Sequence, residues 1–193
     1  MRRTGVFAAL LTVVSVLVAM AATVEVAAKR VPDRGKREVI LHDDCDPADP
    51  GWLPTGGCNR SEGDVSFAEF NALRLSPLVP SPVGHPAWWF DPAYLEVQAG
   101  KEIRVTNDGG RTHTFTEVAA YGGGRVPPLN FGQTGPTAPG TLTQAPACIS
   151  PGVVDIPGGG KSVVEGLAPG NHFFQCCIHP WMRTLVKATE KEE

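Results

Sequence analysis

The feature that most constrains this chain is a short run near its C-terminus that brings three metal-binding side chains together. Cys176, His179 and Met182 follow a Cys-x-x-His-x-x-Met spacing, so a thiol, an imidazole and a thioether lie in one loop. Thiolate and thioether sulfurs are soft ligands, and imidazole is a borderline one. A second imidazole is available far upstream at His113, near the start of the strand-like run 112–118.

These side chains together favour copper over other metals. One Cys and two His in a trigonal set, with a weak axial Met, are the ligands of a type 1 (blue) copper electron-transfer site. Zinc is an alternative, since Cys and His also bind zinc, but structural zinc sites recruit two compact pairs and Met is a poor zinc ligand. A buried thiol beside a surface imidazole is the alternative without metal. The sequence predicts one copper ion, with the ligands His113, Cys176, His179 and Met182.

On these residues, with Phe174 before the Cys, the chain resembles the cupredoxins over about residues 85–189. The Cys-x-x-His-Pro-aromatic-Met loop is most similar to the plastocyanin and amicyanin-like branch. The resemblance implies a site built from a loop between the last two strands and an earlier strand end. In that family the residue after the upstream His ties the ligand loops together. Amicyanin-like members often have Asn there, and this chain has Thr114.

The resemblance also implies a route for electrons. His179 would be the ligand nearest to solvent and therefore the electron port, the ligand through which electrons enter and leave. Pro180 and Trp181 would form an apolar rim around it for brief docking, since weak redox encounters use small patches. An ordinary core position for Trp181 is the alternative.

The rest of the sequence favours an all-β fold. Its 22 Gly and 18 Pro indicate many turns, and apolar residues alternate at 93–97, 103–105 and 183–188. We expect a Greek-key β-sandwich of the cupredoxin type, with a short N-terminal extension carrying one helix. That helix is predicted over 64–73, with Asp64 as its cap. The Gly/Pro-rich segment 121–160 is predicted to be a long covering loop.

The N-terminus is typical of an exported protein. Residues 1–28 have the features of a secretory signal peptide, with Arg2 and Arg3 before the apolar run 6–22. An uncleaved membrane anchor is the alternative, and membrane attachment is expected only in that case. We expect residues 29–82 to be a linker and a Cys-bounded extension, and 83–189 to be the copper domain. The predicted location is periplasmic or extracellular, including the cell surface.

Export changes the interpretation of the five cysteines, because pairs of thiols form disulfides in oxidising compartments. If Cys176 binds copper, four cysteines remain. Cys45 and Cys58 are close in sequence and are paired here, which leaves Cys148 for Cys177. Four cysteines allow three pairings, and a buried, reduced Cys177 is a further alternative.

These observations predict a mononuclear copper protein that carries single electrons between redox partner proteins by transient docking. The alternative is a copper carrier or scavenger without redox relay. A copper enzyme needs a second centre with further His ligands, and the chain has five His in all, so no enzymatic activity is expected. His85 and His172 are interpreted as structural, and the acidic residues at 43–49 as a solvated turn. With a formal charge of −3 and no basic patch in the sequence, nucleic acid is not an expected partner.

Overall fold

The structure, a computed structural model, describes residues 37–74, 85–130 and 143–190. These residues form ten β-strands, one α-helix and three short 3₁₀ turns. The strands are β1 (Glu38–His42), β2 (Trp89–Asp91), β3 (Tyr94–Gln98), β4 (Ile103–Asn107), β5 (His113–Thr114), β6 (Thr116–Val118), β7 (Asp155–Ile156), β8 (Lys161–Val164), β9 (Gly170–Gln175) and β10 (Arg183–Thr189). The helix is α1 (Phe67–Arg74), and the 3₁₀ turns are Pro50–Thr55, Pro127–Leu129 and Pro146–Ile149.

Two four-stranded sheets make up the sandwich. One has the strand order β2-β1-β4-β8 and the other β3-β10-β9-β6. β1 runs parallel to β4, and β3 parallel to β10, whereas the other pairs in these sheets are antiparallel. Alternate residues of each strand point to the core, as a period of two requires. The buried positions include Val39, Leu41, Leu95, Val97, Ile103, Val105, Val186 and Ala188. The predicted all-β sandwich is confirmed.

The N-terminal boundary of the domain differs from the expectation. The sequence predicts a linker and extension over 29–82 and the copper domain over 83–189, but β1 lies inside a sheet, between β2 and β4. The cause is the alternation within β1, where Val39 and Leu41 are fully buried. The sandwich therefore includes strand residues from Glu38 onward. The predicted signal segment and the Pro-rich stretch 76–82 lie outside the described residues.

The helix in the extension begins later than predicted. It starts at Phe67, and the preceding Ser66 accepts a hydrogen bond from the backbone N–H of Glu69 at 3.1 Å. Ser66, rather than Asp64, therefore caps the helix. Phe70 is buried against the body of the domain. None of the helices in the described ranges is long and apolar enough to cross a bilayer.

The segment 121–160 contains more structure than the predicted covering loop. β7 lies within it and pairs with β5, so Ile156 is the register partner of His113. Asn107 fixes this arrangement, because its side-chain amide donates to the carbonyl oxygens of Arg111 and Ile156 at 2.7 and 2.8 Å. Residues 131–142 are outside the described part.

Candidate metal centre

Three of the four predicted ligands meet at one end of the sandwich. His113 is the first residue of β5, while Cys176 follows β9 and His179 lies in the next turn. The Sγ atom of Cys176 is 3.8 Å from the Nδ1 atom of each histidine, and the two Nδ1 atoms are 3.2 Å apart. All three side chains are buried. Two ring nitrogens and a sulfur thus face one another in a closed space.

This arrangement fits a single metal ion. A point equidistant from the three atoms lies about 2.1 Å from each, which is close to the metal–nitrogen and metal–sulfur bond lengths of about 2.0–2.3 Å found for zinc. The donor set of one thiolate and two imidazoles is also the set that a trigonal copper site uses. The distances therefore fit a single metal ion, and the donor chemistry fits copper.

The fourth predicted ligand, Met182, is held in the same loop. Its side chain is fully buried in the core. Its backbone N–H donates to the carbonyl of His179 at 2.9 Å, and its carbonyl accepts from the N–H of Cys176 at 3.0 Å. The loop is thus closed on itself between the Cys and the Met. An axial role for Met182 stays a prediction.

The surroundings of Cys176 favour a thiolate. Its burial raises the pKa of the thiol, but hydrogen bonds with His113 and His179 outweigh burial and lower that pKa well below its usual range. The backbone N–H groups of His179 and Thr114 also point at the sulfur, at 3.3 and 3.4 Å. A thiolate is the form that binds metal.

Thr114 supplies the tie between the ligand segments. Its hydroxyl accepts a hydrogen bond from the backbone N–H of Cys177 at 2.7 Å, and its own N–H points at Cys176 Sγ. The residue is fully buried, so this contact is protected from water. A hydroxyl therefore makes, in this chain, the connection that the resemblance assigns to Asn.

His113 has a buried carboxylate partner that the sequence interpretation missed. Its Nε2 atom lies 2.7 Å from Oδ2 of Asp43, and both side chains are inaccessible to solvent. Burial alone would lower the pKa of His113, but hydrogen bonds with Asp43 and Cys176 raise it to about 9 in the metal-free protein. The sequence predicts a solvated acidic turn at Asp43. In the structure it is 3% exposed and belongs to the site.

His179 has the opposite environment. Burial is the main cause that lowers its pKa, and its ring is surrounded by aromatic side chains. The ring centroid is 5.4 Å from Trp181, 6.2 Å from Phe70 and 6.5 Å from Trp88. Trp52 packs on Phe70 and Trp88 at 5.3 and 5.8 Å. We call this group, Trp52, Phe70, Trp88 and Trp181, the aromatic cap.

The aromatic cap changes the expectation for the electron port. His179 is 4% exposed and Pro180 is buried, so neither is open to solvent, whereas Trp181 is half-buried. The reason is that helix α1 and the 3₁₀ turn before it place Phe70 and Trp52 over this end of the sandwich. A docking role for His179, Pro180 and Trp181 therefore stays a prediction, and Trp181 is the one of the three that is not classed as buried.

The described residues contain two disulfides, and these join the same pairs of cysteines that the sequence predicts. One links Cys45 to Cys58 and the other links Cys148 to Cys177, while Cys176 is free and buried. The second bond ties the segment around Cys148 to Cys177, which directly follows the predicted thiolate ligand Cys176. Each disulfide therefore braces a different side of the site.

The other sequence candidates lie away from the three donors. His85 is buried beside Trp88 and bonds Glu69 through Nε2 at 3.4 Å. His172 bonds Glu117 at 2.6 Å and the carbonyl of Ala168 at 2.8 Å. The described residues contain one group of three His, Cys, Asp or Glu that could hold an ion, namely His113, Cys176 and His179.

Comparison with solved structures finds cupredoxins at low identity. A purple cupredoxin from Nitrosopumilus maritimus is 16% identical, with a TM-score of 0.38, and the match covers 80% of this chain and 100% of that one. A Cu(I) form of an amicyanin variant is 14% identical, with a TM-score of 0.33 and coverage of 52% and 72%. Reduced auracyanin from Roseiflexus castenholzii is 19% identical, with a TM-score of 0.30 and coverage of 52% and 87%.

These likenesses concern a cupredoxin-like fold. At such low TM-scores they add nothing to the case for the metal centre, which rests on this chain's own residues. The chain matches no protein-family model and no curated protein.

Proposed function

We propose that this chain is an exported mononuclear copper protein that carries single electrons between redox partners. The observation that supports it most strongly is the buried triangle of His113, Cys176 and His179, with Sγ–Nδ1 distances of 3.8 Å and an Nδ1–Nδ1 distance of 3.2 Å. Met182 would supply the fourth ligand. Copper, when bound, would accept and release one electron as it alternates between Cu(II) and Cu(I).

The protein's part in this role is to keep the ligands in one arrangement. Thr114 joins the strand of His113 to the loop of Cys176, and the loop closes between Cys176 and Met182. The Cys148–Cys177 disulfide adds a covalent brace. Because the two oxidation states prefer different geometries, a site that resists rearrangement lowers the cost of each electron transfer.

Trp181 is the proposed exit for electrons. Its ring meets the ring of His179 edge-on at 5.4 Å and is half-buried, so it leads from a buried ligand to the surface. A partner protein that docks briefly on this face would exchange one electron through Trp181. No bond is made or broken and no proton needs to move in such a step.

A copper carrier or scavenger is the second candidate. A carrier must release its metal readily, and a ligand open to solvent would assist transfer to an acceptor. His113, Cys176 and His179 are at most 4% exposed, which favours retention of the metal and therefore electron transfer. The proposed role is not enzymatic, since a copper oxidase or reductase needs further His ligands and the chain has five His in all.

Export is part of the proposal. Its support is the signal-like sequence of residues 1–28 and the two disulfides, which are typical of oxidising compartments. We propose a periplasmic or extracellular location, and a single copper domain that includes the described residues from strand β1 onward.

The test is the visible absorption and electron paramagnetic resonance spectrum of the Cu(II)-loaded protein. We expect an intense blue band from thiolate-to-copper charge transfer with narrow copper hyperfine splitting, and loss of both in Cys176→Ala. His172→Ala is the matched control, because its ring lies in an exposed pair with Glu117, and it should keep the spectrum. A colourless protein that binds zinc equally well, or a band that survives in Cys176→Ala, would contradict the proposal.

A further inference from the structure

We propose that Asp43, supplied by the N-terminal extension, is a positioning residue that fixes the orientation of His113 and lowers the copper reduction potential through its negative charge. This inference rests on the proposed function. The observation behind it is the 2.7 Å contact between His113 Nε2 and Asp43 Oδ2, in which both side chains are closed to solvent.

The hydrogen bonds around Asp43 favour an ionised carboxylate. Oδ1 accepts from the backbone N–H of Gly110 at 3.0 Å and of Cys45 at 3.4 Å. Oδ2 accepts from the N–H of Arg111 at 2.9 Å, as well as facing His113. Three backbone N–H groups thus donate to the two oxygens, which favours the negatively charged form of the side chain. An amide in this place would turn its NH₂ group towards at least one of these donors.

This carboxylate determines which nitrogen of His113 is free. An acceptor at Oδ2 requires the proton of the neutral imidazole to be on Nε2. The lone pair is then on Nδ1, the atom that faces Cys176 Sγ at 3.8 Å and His179 Nδ1 at 3.2 Å. A metal-binding imidazole commonly donates its other N–H to a carboxylate, which orients the ring and strengthens it as a donor.

The extension is built to hold Asp43 in this place. The Cys45–Cys58 disulfide is two residues away, and a Cβ on Gly110 would lie 2.7 Å from each of its sulfurs. A Cβ on Gly109 would overlap Asp43 Oδ2, so the turn before His113 can approach the carboxylate only as glycine. Arg60 donates to the carbonyl of Asp43 and pairs with Asp44 at 3.0 Å.

The negative charge of Asp43 should change the balance between Cu(II) and Cu(I) in one direction. Cu(II) with the thiolate of Cys176 leaves one positive charge in the buried site, and the carboxylate of Asp43 balances it. Cu(I) with the same thiolate is neutral, so Asp43 then adds an unbalanced negative charge. In a site of low dielectric such a charge is screened poorly, and it favours Cu(II) over Cu(I).

The experiment compares Asp43→Asn with Asp44→Asn in the copper-loaded protein. Asp44 is the matched control, because it is the neighbouring carboxylate but pairs with Arg60 rather than with His113. For Asp43→Asn we expect a 10–100-fold loss of Cu(II) affinity, the usual range for such partners, and a smaller loss of Cu(I) affinity. For each factor of ten by which the loss of Cu(II) affinity exceeds the loss of Cu(I) affinity, the reduction potential rises by about 59 mV. Asp44→Asn should change either affinity by less than about twofold.

Two results would overturn the proposal. One is a potential for Asp43→Asn equal to that of Asp44→Asn. The other is an equal loss of Cu(I) and Cu(II) affinity, which would indicate a purely structural role. A nuclear magnetic resonance measurement on the unmutated protein covers the case in which Asp43→Asn does not fold. We expect a His113 Nε2–H proton protected from exchange in the Cu(I) form, and its absence would also overturn the proposal.

The same measurement separates this inference from the proposed function. If the unmutated protein binds no copper, the electron-transfer role fails. The protected Nε2–H of His113 can then still be sought in the metal-free protein, where the contact with Asp43 predicts it.

Discussion

The Nδ1 atoms of the two proposed imidazole ligands, His113 and His179, lie 3.2 Å apart, yet the two rings have different surroundings. His113 is held from behind by a buried carboxylate on the Cys-bounded part of the extension. His179 is held by the aromatic cap, whose contacts are apolar ring faces and edges. Accordingly the pKa of His113 is raised to about 9, whereas burial lowers the pKa of His179.

This difference shows how one short segment serves both sides of the site. The extension supplies Asp43 to His113 through the strand-to-turn segment after β1, and it supplies Trp52 and Phe70 to His179 through α1 and the preceding 3₁₀ turn. One side is fixed by charge and hydrogen bonds and should be sensitive to pH. The other is fixed by packing and should be sensitive to side-chain volume.

The largest expected effect comes from removing each imidazole in the metal-free protein. His113→Ala leaves Asp43 as a buried charge that has lost its partner, which should lower the free energy of unfolding by about 3–5 kcal/mol. His179→Ala leaves a cavity under Phe70 and should cost roughly 1–3 kcal/mol. The free energy of unfolding of each variant can be measured by urea denaturation and compared. Equal losses would mean that the carboxylate does not distinguish the two sides.

The next effect tests the packed side. Phe70 is 4% exposed, and its ring lies 4.9–6.2 Å from the rings of His179 and of the other three members of the aromatic cap. Phe70→Ala should therefore cost about 3 kcal/mol of stability and should speed removal of copper by a chelator. Leu53→Ala is the control, since Leu53 is 70% exposed and should change stability by less than about 0.5 kcal/mol. A chelation rate unchanged in Phe70→Ala would show that the cap does not limit access.

A pH experiment tests the charged side. Burial of Asp43 raises the pKa of its carboxyl, but hydrogen bonds and charge from His113 outweigh burial and lower it from 3.8 to about 2. A lowered pKa means stability that is present above the unfolded pKa and is lost as pH falls through the folded one. The shift corresponds to about 2 kcal/mol. The stability difference between the metal-free protein and its Asp43→Asn variant should therefore shrink as pH falls from 5 to 2, and a constant difference would contradict this.

The smallest expected effect concerns His172 and Glu117, an exposed histidine–carboxylate pair. Burial lowers the pKa of His172, but its hydrogen bond with Glu117 outweighs burial and raises it. A raised pKa gives stability that is present below the unfolded value of about 6.5 and is lost as pH rises through the folded value. Because Glu117 is exposed, Glu117→Gln should cost less than about 1 kcal/mol at pH 5 and nothing measurable at pH 9. If Glu117→Gln lost as much stability as Asp43→Asn, the buried and exposed pairs would not differ as this account requires.

The parts of the site that could be predicted from sequence are those with a local pattern. Cys176, His179 and Met182 lie in one loop, and His113 lies near the start of the strand-like run 112–118, so residue type and spacing suffice. Asp43 could not be found in this way. It is 70 residues from His113, and its neighbours are acidic and polar, which is also the composition of a solvated turn.

The fold shows the same limit. The alternation in β3, β4 and β10 indicated strands correctly, because each follows a turn signal. β1 contains three consecutive apolar residues, Val39, Ile40 and Leu41, but the charged run before them is typical of a linker. Its parallel pairing with β4 is a long-range contact. Composition in a short window carries no information about such a contact. The cover over His179 was missed for the same reason, since Phe70 reaches it from more than a hundred residues away.

The measurement that tests the central claim most directly is X-ray absorption at the copper edge in both oxidation states. We expect one sulfur and two imidazole nitrogens at about 2 Å from copper, with little change in these distances on reduction. Loss of the sulfur contribution in Cys176→Ala would identify that sulfur as the thiolate. A copper surrounded only by nitrogen and oxygen, or ligands that change number between Cu(II) and Cu(I), would contradict a preformed electron-transfer site.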